Sequence, residues 1–343
     1  MKACILGATG LVGQRFIQRL NDHQWFEIAS LTGSERSAGV KFGDAVNWRM
    51  DTELKPEVGE LTVQPTSPKH VDADVVFSAL PAEEAQRVEE DFAREGFVVV
   101  SNASAHRMEA DVPLMNPEAN FTHLSLIDEQ KRKRKWDGAI VTNPNCTTAV
   151  LTLSLKPIAA SFGLRNVVIS SMQAASGAGY PGVASLDIID NVIPFINGEE
   201  EKVQKETQKI LGDAGHPAAF NVSASCHRVP VIDGHTEAVF VQTEKLASPD
   251  QVARCMQEFT AEPQKLKLPT APLRPVVVRT ERDRPQPRFD RNEGDGMTVV
   301  VGRIRDDPVF SGVKYVAMGH NTIRGAAGCA ILIAESMKSQ GYL

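Results

Sequence analysis

A short apolar strand, Lys2 to Leu6, runs directly into the glycine-rich turn Gly7-Ala-Thr-Gly-Leu-Val-Gly13 in this chain of 343 residues. A helix is predicted to follow, because apolar residues at Val12, Phe16 and Leu20 keep the helical period. A strand, a glycine turn and a helix in this order allow backbone N–H groups to approach a pyrophosphate at the helix start. The spacing is GxxGxxG instead of GxGxxG, so the prediction depends on the turn's place directly after a strand. We therefore expect a dinucleotide-binding domain here.

The segment after the second predicted strand, Phe26 to Leu31, bears on which dinucleotide binds. NAD-binding proteins carry an acidic residue near this point, which holds the ribose 2′-hydroxyl. In this chain Ser34, Arg36 and Ser37 could together hold a 2′-phosphate, which favours NADP. Glu35 could do the NAD task, so both cofactors stay open.

Two further apolar runs, Asp74 to Leu80 and Phe97 to Val100, are typical of buried parallel strands. A helix from Ala82 to Arg94 is predicted between them. The second run ends in a polar loop that carries Arg107, at the edge where ligands bind in such sheets. Arg107 is therefore a candidate anion ligand, with a surface arginine as the alternative.

Cys146 is the candidate nucleophile. It follows a predicted strand, Ala139 to Thr142, and the polar corner Asn143-Pro144-Asn145, and it begins a predicted helix. A cysteine in the first turn of a helix lies among unpaired backbone N–H groups at the positive end of the helix dipole. That position favours the thiolate, which is the nucleophilic form. The alternative is that Cys146 is a small packed apolar residue.

The second half of the chain adds polar residues at the ends of predicted strands. The strand 165–173 opens onto a glycine-rich loop, and the charged helix 199–211 is predicted to be exposed, with most of its charges solvated. Arg228 and His235 lie seven residues apart around a turn, before another strand. The segment 321–337, rich in small residues, is predicted to be a helix that returns to the first domain.

Composition limits the classes of protein that fit. The hydrophobic content of 42%, with 23% charged residues, suits a globular protein of about two domains. A net charge of −6 gives no general attraction to nucleic acid or membranes, so the basic block 131–135 is predicted to be a solvated loop or helix end. No apolar run reaches membrane-spanning length, and the five cysteines show no metal-ligand spacing. We expect a cytoplasmic protein that has no metal site and no signal peptide.

A dinucleotide fold, a thiolate at a helix start, a histidine and spare arginines together indicate one type of chemistry. A hydride is exchanged with a carbon that is covalently attached to sulfur, which interconverts an aldehyde and an acyl thioester. Covalent capture divides a difficult step into two easier ones. An arginine supplies bidentate recognition of a substrate carboxylate.

With these features in place, the chain resembles the aspartate-β-semialdehyde dehydrogenase family, particularly its archaeal and fungal branch. The matching segments follow the family's order over nearly the whole chain. They are Gly7 to Gly13, Pro144 to Thr147, Gln173 to Gly177, Glu199 to Lys202, Arg228-Val-Pro-Val with His235, and Gly319 to Thr322.

The resemblance implies an α/β fold with an N-terminal Rossmann-like NADP-binding domain and an α+β catalytic and dimerisation domain. The first would span residues 1–145, completed by the C-terminal helix 321–343, and the second residues 146–320. It also implies a homodimer or homotetramer, built through the sheet of the second domain.

The resemblance further implies reversible, NADPH-dependent reduction of L-4-aspartyl phosphate to L-aspartate 4-semialdehyde, in the pathway to lysine, threonine and methionine. Cys146 would form the acyl-enzyme, His235 would act as general acid/base, and Gln173 would orient the acyl group. Arg228 would bind the substrate α-carboxylate and Glu199 the α-ammonium group. The phosphate site would consist of Lys202, Arg107 and Asn145. The residues implied to line NADP(H) are Thr9, Gly10, Leu11, Val12, Gly13, Ser34, Arg36, Ser37, Ser176, Gly177 and Asn321.

Three alternatives remain open at this point. N-acetyl-glutamyl-phosphate reductase uses the same cysteine chemistry on a longer, N-acylated substrate and needs no partner for a free ammonium group. A malonyl-CoA reductase resembles the same branch closely and requires an entrance for CoA. A cofactor-binding regulatory protein with an inactive site is the third, and the joint presence of Cys146, Gln173, Arg228 and His235 argues against it.

Overall fold

The chain folds into two units, each built around its own six-stranded sheet. The computed structural model describes residues 1–343. The first unit comprises Met1–Met115, Thr122–Asn143 and Ala326–Leu343, and the second comprises Asn116–Phe121 and Pro144–Gly325.

The strands and helices are numbered in chain order. The strands are β1 (Lys2–Leu6), β2 (Glu27–Gly33), β3 (Gln64–Pro65), β4 (Val75–Ser78), β5 (Val98–Ser101), β6 (Ala139–Thr142), β7 (Asn166–Gln173), β8 (Asn221–Arg228), β9 (His235–Gln242), β10 (Val276–Val278), β11 (Val299–Asp307) and β12 (Gly312–Gly319). The helices are α1 (Leu11–Leu20), α2 (Phe42–Ala45), α3 (Pro56–Gly59), α4 (Ala82–Arg94), α5 (Pro117–Asn120), α6 (Leu126–Arg134), α7 (Cys146–Phe162), α8 (Ser185–Ile188), α9 (Glu199–Leu211), α10 (Pro249–Gln257), α11 (Glu262–Lys265), α12 (Pro287–Asp290) and α13 (Gly328–Ser339).

The sheet of the first unit is entirely parallel, with the strand order β3-β2-β1-β4-β5-β6. This is the order of a Rossmann fold. Every residue of β4, β5 and β6 is buried, as expected for parallel strands that are covered on both faces. Helix α1 packs against β1 and β2, and helices α4, α6 and α13 pack against β5 or β6. The prediction of a Rossmann-like domain is therefore confirmed.

The sheet of the second unit is mixed, with the order β10-β11-β12-β9-β7-β8. Strand β7 pairs with β8 in parallel and with β9 antiparallel. Buried and half-buried residues alternate along β7 and β9, because one face of the sheet packs against helices α7, α9 and α10. The prediction of an α+β second domain is confirmed.

Three local predictions need comment. Helix α9 has the predicted bounds, and four of its seven charged side chains are exposed or half-buried, whereas Glu199, Glu206 and Lys209 are buried. The C-terminal helix was predicted from residue 321, whereas the chain first makes a π-helical turn at Ile323–Ala327 before α13 begins. The basic block lies at the end of α6, as predicted. No helix in the chain combines the length and apolar character that crossing a bilayer requires.

Candidate active site

Helix α7 begins at Cys146, directly after the buried strand β6 and a polar corner. Asn145 caps the helix: its side-chain oxygen accepts hydrogen bonds from the backbone N–H groups of Thr147 at 2.9 Å and Thr148 at 3.2 Å. This cap holds Cys146 in the first turn, at the positive end of the helix dipole, where a thiolate is stabilised. The sulfur is half-buried and takes part in no disulfide.

His235 contacts the cysteine directly. Its Nε2 lies 3.1 Å from the Cys146 sulfur, and its Nδ1 accepts a hydrogen bond of 3.1 Å from the backbone N–H of Ala174. His235 is the first residue of β9 and has no exposed surface. Burial and the nearby Arg228 and His320 lower the pKa of His235 to about 3, so the ring is neutral at physiological pH.

Two further side chains lie at one end of the second sheet. Gln173 and Arg228 are register partners at the last positions of the parallel strands β7 and β8. Arg228 is 6% exposed and donates a hydrogen bond of 2.8 Å to the carbonyl oxygen of Ala174. A Cβ placed on Gly177 would lie 2.6 Å from the Arg228 guanidinium and 3.0 Å from the His235 ring. Only glycine at position 177 allows the loop to pass this close.

Helix α9 turns a carboxylate toward the same residues. Oε1 of Glu199 accepts hydrogen bonds from the Asn145 amide at 2.8 Å and from the Gln173 amide at 3.0 Å. Of the three consecutive glutamates, Glu199 is the buried one. A buried carboxylate near the Arg228 guanidinium gives this site opposite charges, which suits a ligand with both a carboxylate and an ammonium group.

Glu206 was not found by sequence reasoning. Its carboxylate accepts a hydrogen bond of 2.7 Å from the backbone N–H of Asn145, and it is 1% exposed. The signal that could have found it is its distance of two helical turns from Glu199, which places both carboxylates on one face of α9. Gly325 was missed too. A Cβ on this residue would lie 2.6 Å from that of Cys146, so the backbone at 325 packs directly against Cys146.

The two predicted cationic phosphate ligands belong to different units. Lys202 is half-buried on α9, one turn after Glu199. Arg107 lies in the first unit, where it is 7% exposed and donates to the carbonyl oxygen of Asn102 at 2.7 Å. The alternative of a surface arginine at this position is therefore wrong.

The glycine turn of the first unit has the geometry that a pyrophosphate needs. Gly7 has a φ of +71°, and a Cβ on Gly13 would lie 2.4 Å from the Gly7 carbonyl oxygen. The first turn of α1, from Leu11, contains no acidic residue, and Gly10 before it offers no side-chain cap. Thr9 and Val12 complete the turn. The amide end of α1 thus has neither a side-chain cap nor a nearby acidic residue in its first turn, which fits an anionic dinucleotide.

The predicted 2′-phosphate residues follow β2. Ser34 and Arg36 are exposed, and the Ser37 hydroxyl donates to the Ser34 carbonyl oxygen at 3.1 Å. A cavity of about 470 Å³ opens beside them, lined by Gly33, Ser34, Glu35, Ala38, Pro65, Thr66 and Glu84. This region therefore contains both acidic side chains, Glu35 and Glu84, and the basic Arg36. An acidic residue suits the ribose 2′-hydroxyl of NAD, whereas an arginine suits the 2′-phosphate of NADP.

The remaining predicted cofactor residues lie in the second unit, near the loop after β7 and the turn before β9. The Asn321 amide donates to the Ser176 hydroxyl at 2.8 Å, and its oxygen accepts from the Gly234 backbone N–H at 2.8 Å. Asn321 therefore ties the glycine-rich loop after β7 to the turn that precedes His235.

Comparison with known proteins places this geometry in a family. The model for "Semialdehyde dehydrogenase, NAD binding domain" matches residues 2–127, and that for "Semialdehyde dehydrogenase, dimerisation domain" matches residues 155–324. An aspartate-semialdehyde dehydrogenase from Archaeoglobus fulgidus is 56% identical over 97% of this chain and 96% of its own length. A malonyl CoA reductase (NADP) from Metallosphaera sedula is 42% identical over 100% of this chain and 98% of its own length.

Comparison with solved structures indicates the same family. A crystal structure of aspartate semialdehyde dehydrogenase with NADP from Candida albicans has a TM-score of 0.92 and 41% identity, covering 100% of this chain and 99% of that one. The chain therefore belongs to the semialdehyde dehydrogenase family, in the group that contains the archaeal and fungal aspartate-semialdehyde dehydrogenases.

Proposed function

We propose that this chain catalyses the reversible, NADPH-dependent conversion of L-4-aspartyl phosphate to L-aspartate 4-semialdehyde and phosphate, through a thioester on Cys146. The observation that carries the proposal is the Cys146 sulfur at the start of α7, 3.1 Å from Nε2 of His235. The aspartyl substrate places the reaction in the biosynthesis of lysine, threonine and methionine.

The substrate class follows from the charges around the sulfur. Arg228 binds the α-carboxylate, because a guanidinium matches a carboxylate in two parallel hydrogen bonds. Glu199 receives the α-ammonium group, and Gln173 orients the acyl group between them. Lys202, Arg107 and Asn145 bind the phosphate. All of these ligand-binding roles are part of what we propose.

The chemistry at the sulfur proceeds in two stages. The Cys146 thiolate attacks the acyl carbon, and phosphate leaves as the thioester forms. NADPH, when bound, supplies the hydride that reduces the thioester carbon. His235 faces the sulfur throughout, and Arg228 and Glu199 keep the substrate backbone fixed while the acyl carbon changes geometry.

The cofactor assignment is supported by the first unit's own residues. The turn from Thr9 to Gly13 binds the pyrophosphate at the amide end of α1. Ser34, Arg36 and Ser37 bind the 2′-phosphate, so NADP(H) is preferred over NAD(H). Ser176, Gly177 and Asn321 complete the set of proposed cofactor residues. The proposed domain bounds are 1–145 with 321–343 for the NADP-binding domain and 146–320 for the catalytic and dimerisation domain.

The second candidate is malonyl-CoA reduction, because of the similarity to the Metallosphaera enzyme. A malonyl group has no ammonium group, so it leaves the buried Glu199 carboxylate without a ligand partner. A steady-state assay of aspartyl phosphate, N-acetylglutamyl phosphate and malonyl-CoA, each with NADPH and NADH, separates the candidates. We expect kcat/KM to be highest for aspartyl phosphate with NADPH, and a higher value for malonyl-CoA would replace the proposal.

The enzyme works as a homodimer or homotetramer, joined through the face of the second sheet that lies opposite α7 and α9. That face carries half-buried apolar residues, among them the register partners Val168 and Phe240. Light scattering gives the oligomeric state, and Phe240→Glu should lower it, whereas Leu246→Glu on an exposed loop should not. The cytoplasmic location stays a prediction, which cell fractionation tests.

A further inference from the structure

We infer that the buried ion pair of Arg324 and Glu118 positions Cys146 for reaction, because it fixes a turn whose backbone lies against that residue. Both side chains act on the sulfur through Gly325, so they are positioning residues and not catalytic ones. The inference rests on the proposed function, in which the Cys146 sulfur is the nucleophile. The residues that form the ion pair and the contact with Cys146 all belong to the second unit.

The ion pair is closed off from solvent on both sides. Neither side chain has any exposed surface. Nη2 of Arg324 donates to Oε1 of Glu118, and Nε donates to the carbonyl oxygen of Met297 at 3.0 Å. Nη1 of Arg324 and Oε2 of Glu118 make no hydrogen bond to another protein group. A buried pair whose hydrogen-bonding groups are only partly satisfied adds little net stability, so stability alone does not account for it.

Each member of the pair belongs to a segment with a defined place in the second unit. Glu118 lies on α5, and Asn116, directly before that helix, donates two hydrogen bonds of 2.9 Å to α7 from its side-chain amide. Arg324 lies in the π-helical turn Ile323–Ala327. Widened turns of this kind are rare and occur frequently at functional sites. The ion pair thus joins this turn, through α5, to the helix that begins at Cys146.

Gly325 follows Arg324 and is the point at which the turn meets Cys146. A Cβ on Gly325 would lie 2.6 Å from the Cβ and 2.8 Å from the Cα of Cys146. These two atoms of Cys146 are fixed to the helix backbone, so they cannot rotate away from the turn. The Gly325 N–H donates to the carbonyl oxygen of His320 at 3.1 Å. A displaced turn would therefore push α7 at its first residue or leave that residue without support.

The start of α7 thus has a support on this turn as well as the one that α9 supplies through Asn145. A displacement of a reacting group by about 1 Å can lower the rate about 10²-fold. The ion pair contains none of the groups proposed to bind the substrate or NADP(H). Its loss should therefore lower kcat and leave KM nearly unchanged.

The test separates positioning from stability by comparing the removal of one partner with the removal of both. Arg324→Met alone leaves the Glu118 carboxylate buried without its cation. Arg324→Met combined with Glu118→Leu replaces the whole pair by apolar side chains, which is often neutral or stabilising for a buried pair. Arg94→Met combined with Glu90→Leu makes the same exchange in a surface ion pair of α4 and is the matched control.

Thermal unfolding gives the Tm of each variant, and steady-state kinetics gives kcat and KM. The rate of iodoacetamide addition to Cys146 from pH 5 to pH 10, followed by mass spectrometry, reports on the sulfur without any substrate. We expect the Tm to fall by about 10 °C in Arg324→Met and to return to within about 3 °C of the wild type in the double variant.

The kcat of the double variant should nevertheless stay about 10- to 100-fold below that of the wild type, with KM changed less than about twofold. Its alkylation midpoint should rise by about half a pH unit or more, because a displaced sulfur loses part of the stabilisation at the amide end of α7. The surface double variant should match the wild type in kcat and in alkylation midpoint.

A double variant that regains its Tm together with the wild-type kcat, or with the wild-type alkylation midpoint, would overturn the inference, because the pair would then act through stability alone. A double variant that does not fold would overturn it too, since the pair would then be a requirement of folding. A wrong substrate assignment has a different signature: the wild type would not turn over aspartyl phosphate, whereas the shift of the alkylation midpoint would persist.

Discussion

The carboxylate of Glu206 accepts a hydrogen bond of 2.7 Å from the backbone N–H of Asn145, the residue directly before Cys146. Glu199 binds the side-chain amide of the same asparagine at 2.8 Å. Two carboxylates of α9 therefore fix both the backbone and the side chain of the residue that caps α7. The position of the Cys146 sulfur depends on this packing of α9 against the start of α7.

Glu206 is accordingly expected to act as a positioning residue. Glu206→Ala leaves the Asn145 N–H buried without this acceptor, which should cost about 1–3 kcal/mol of stability and lower kcat with little change in KM. Glu206→Gln keeps an acceptor oxygen and should restore most of kcat. Urea unfolding and steady-state kinetics measure both effects, and Glu201→Ala on the exposed face of α9 is the matched control. An equal loss of kcat in the Gln and Ala variants would contradict the positioning role.

Arg228 should control substrate affinity. Arg228→Leu removes the buried guanidinium that binds the substrate α-carboxylate. KM for aspartyl phosphate should therefore rise about a hundredfold. Arg228→Lys should recover little, because lysine cannot reproduce both the bidentate contact and the bond to the Ala174 carbonyl oxygen. The exposed Arg165→Leu serves as the control. If KM in Arg228→Leu stays at the wild-type value, the α-carboxylate binds elsewhere.

Arg36 should decide the cofactor preference. Arg36→Ala removes a cation from the loop after β2 and should raise KM for NADPH by about 10- to 100-fold, the equivalent of a charge-assisted hydrogen bond. KM for NADH should change little, because NADH has no 2′-phosphate. Arg87→Ala on the exposed side of α4 is the control for charge alone. Parallel increases for both cofactors would place the 2′-phosphate away from Arg36.

Glu237 should make stability depend on pH. It is fully buried on β9, neither carboxylate oxygen has a hydrogen-bond partner, and burial raises its pKa well above the usual value. The unfolded chain loses this proton near pH ~4.3 while the folded chain keeps it. The stability that this group contributes is thus complete below that pH and falls as the pH rises toward the folded pKa.

Glu237→Gln replaces the protonated carboxyl with a neutral group of similar shape. The Tm of this variant should exceed that of the wild type by a margin that grows from pH 5 to pH 8, as measured by thermal unfolding. Glu201→Gln, which is exposed, should show no such trend. A constant Tm difference across this range would mean that Glu237 is ionised in the folded protein.

Much of this architecture can be predicted from local sequence. The bounds of α4, β6 and α9 and the start of α7 coincide with the predicted ones, because apolar periods and a polar cap define those elements locally. The π-helical turn at Ile323–Ala327 could not be predicted, since small residues fit both a regular helix and a widened turn.

The candidate site shows the same difference between features that the local sequence defines and features that depend on tertiary contacts. The helix start at Cys146 could be predicted because it is a local feature of the sequence, and Cys146 begins α7 shortly after β6, as expected. Glu206 could not, because on a charged helix its burial is set by the contact with Asn145, which is 61 positions away. The position of the His235 ring likewise depends on tertiary structure, because its Nδ1 accepts a hydrogen bond from the N–H of Ala174, which is 61 positions away.

The most direct test of the account is to trap the acyl-enzyme. Purified enzyme is mixed with aspartyl phosphate in the absence of NADPH, quenched in acid, digested and analysed by mass spectrometry. We predict that the peptide containing Cys146 gains the mass of one aspartyl group, and that Cys146→Ser neither gains it nor turns over. An aspartyl group on any other residue, or substantial turnover by Cys146→Ser, would contradict the central claim that the reaction passes through a thioester on this sulfur.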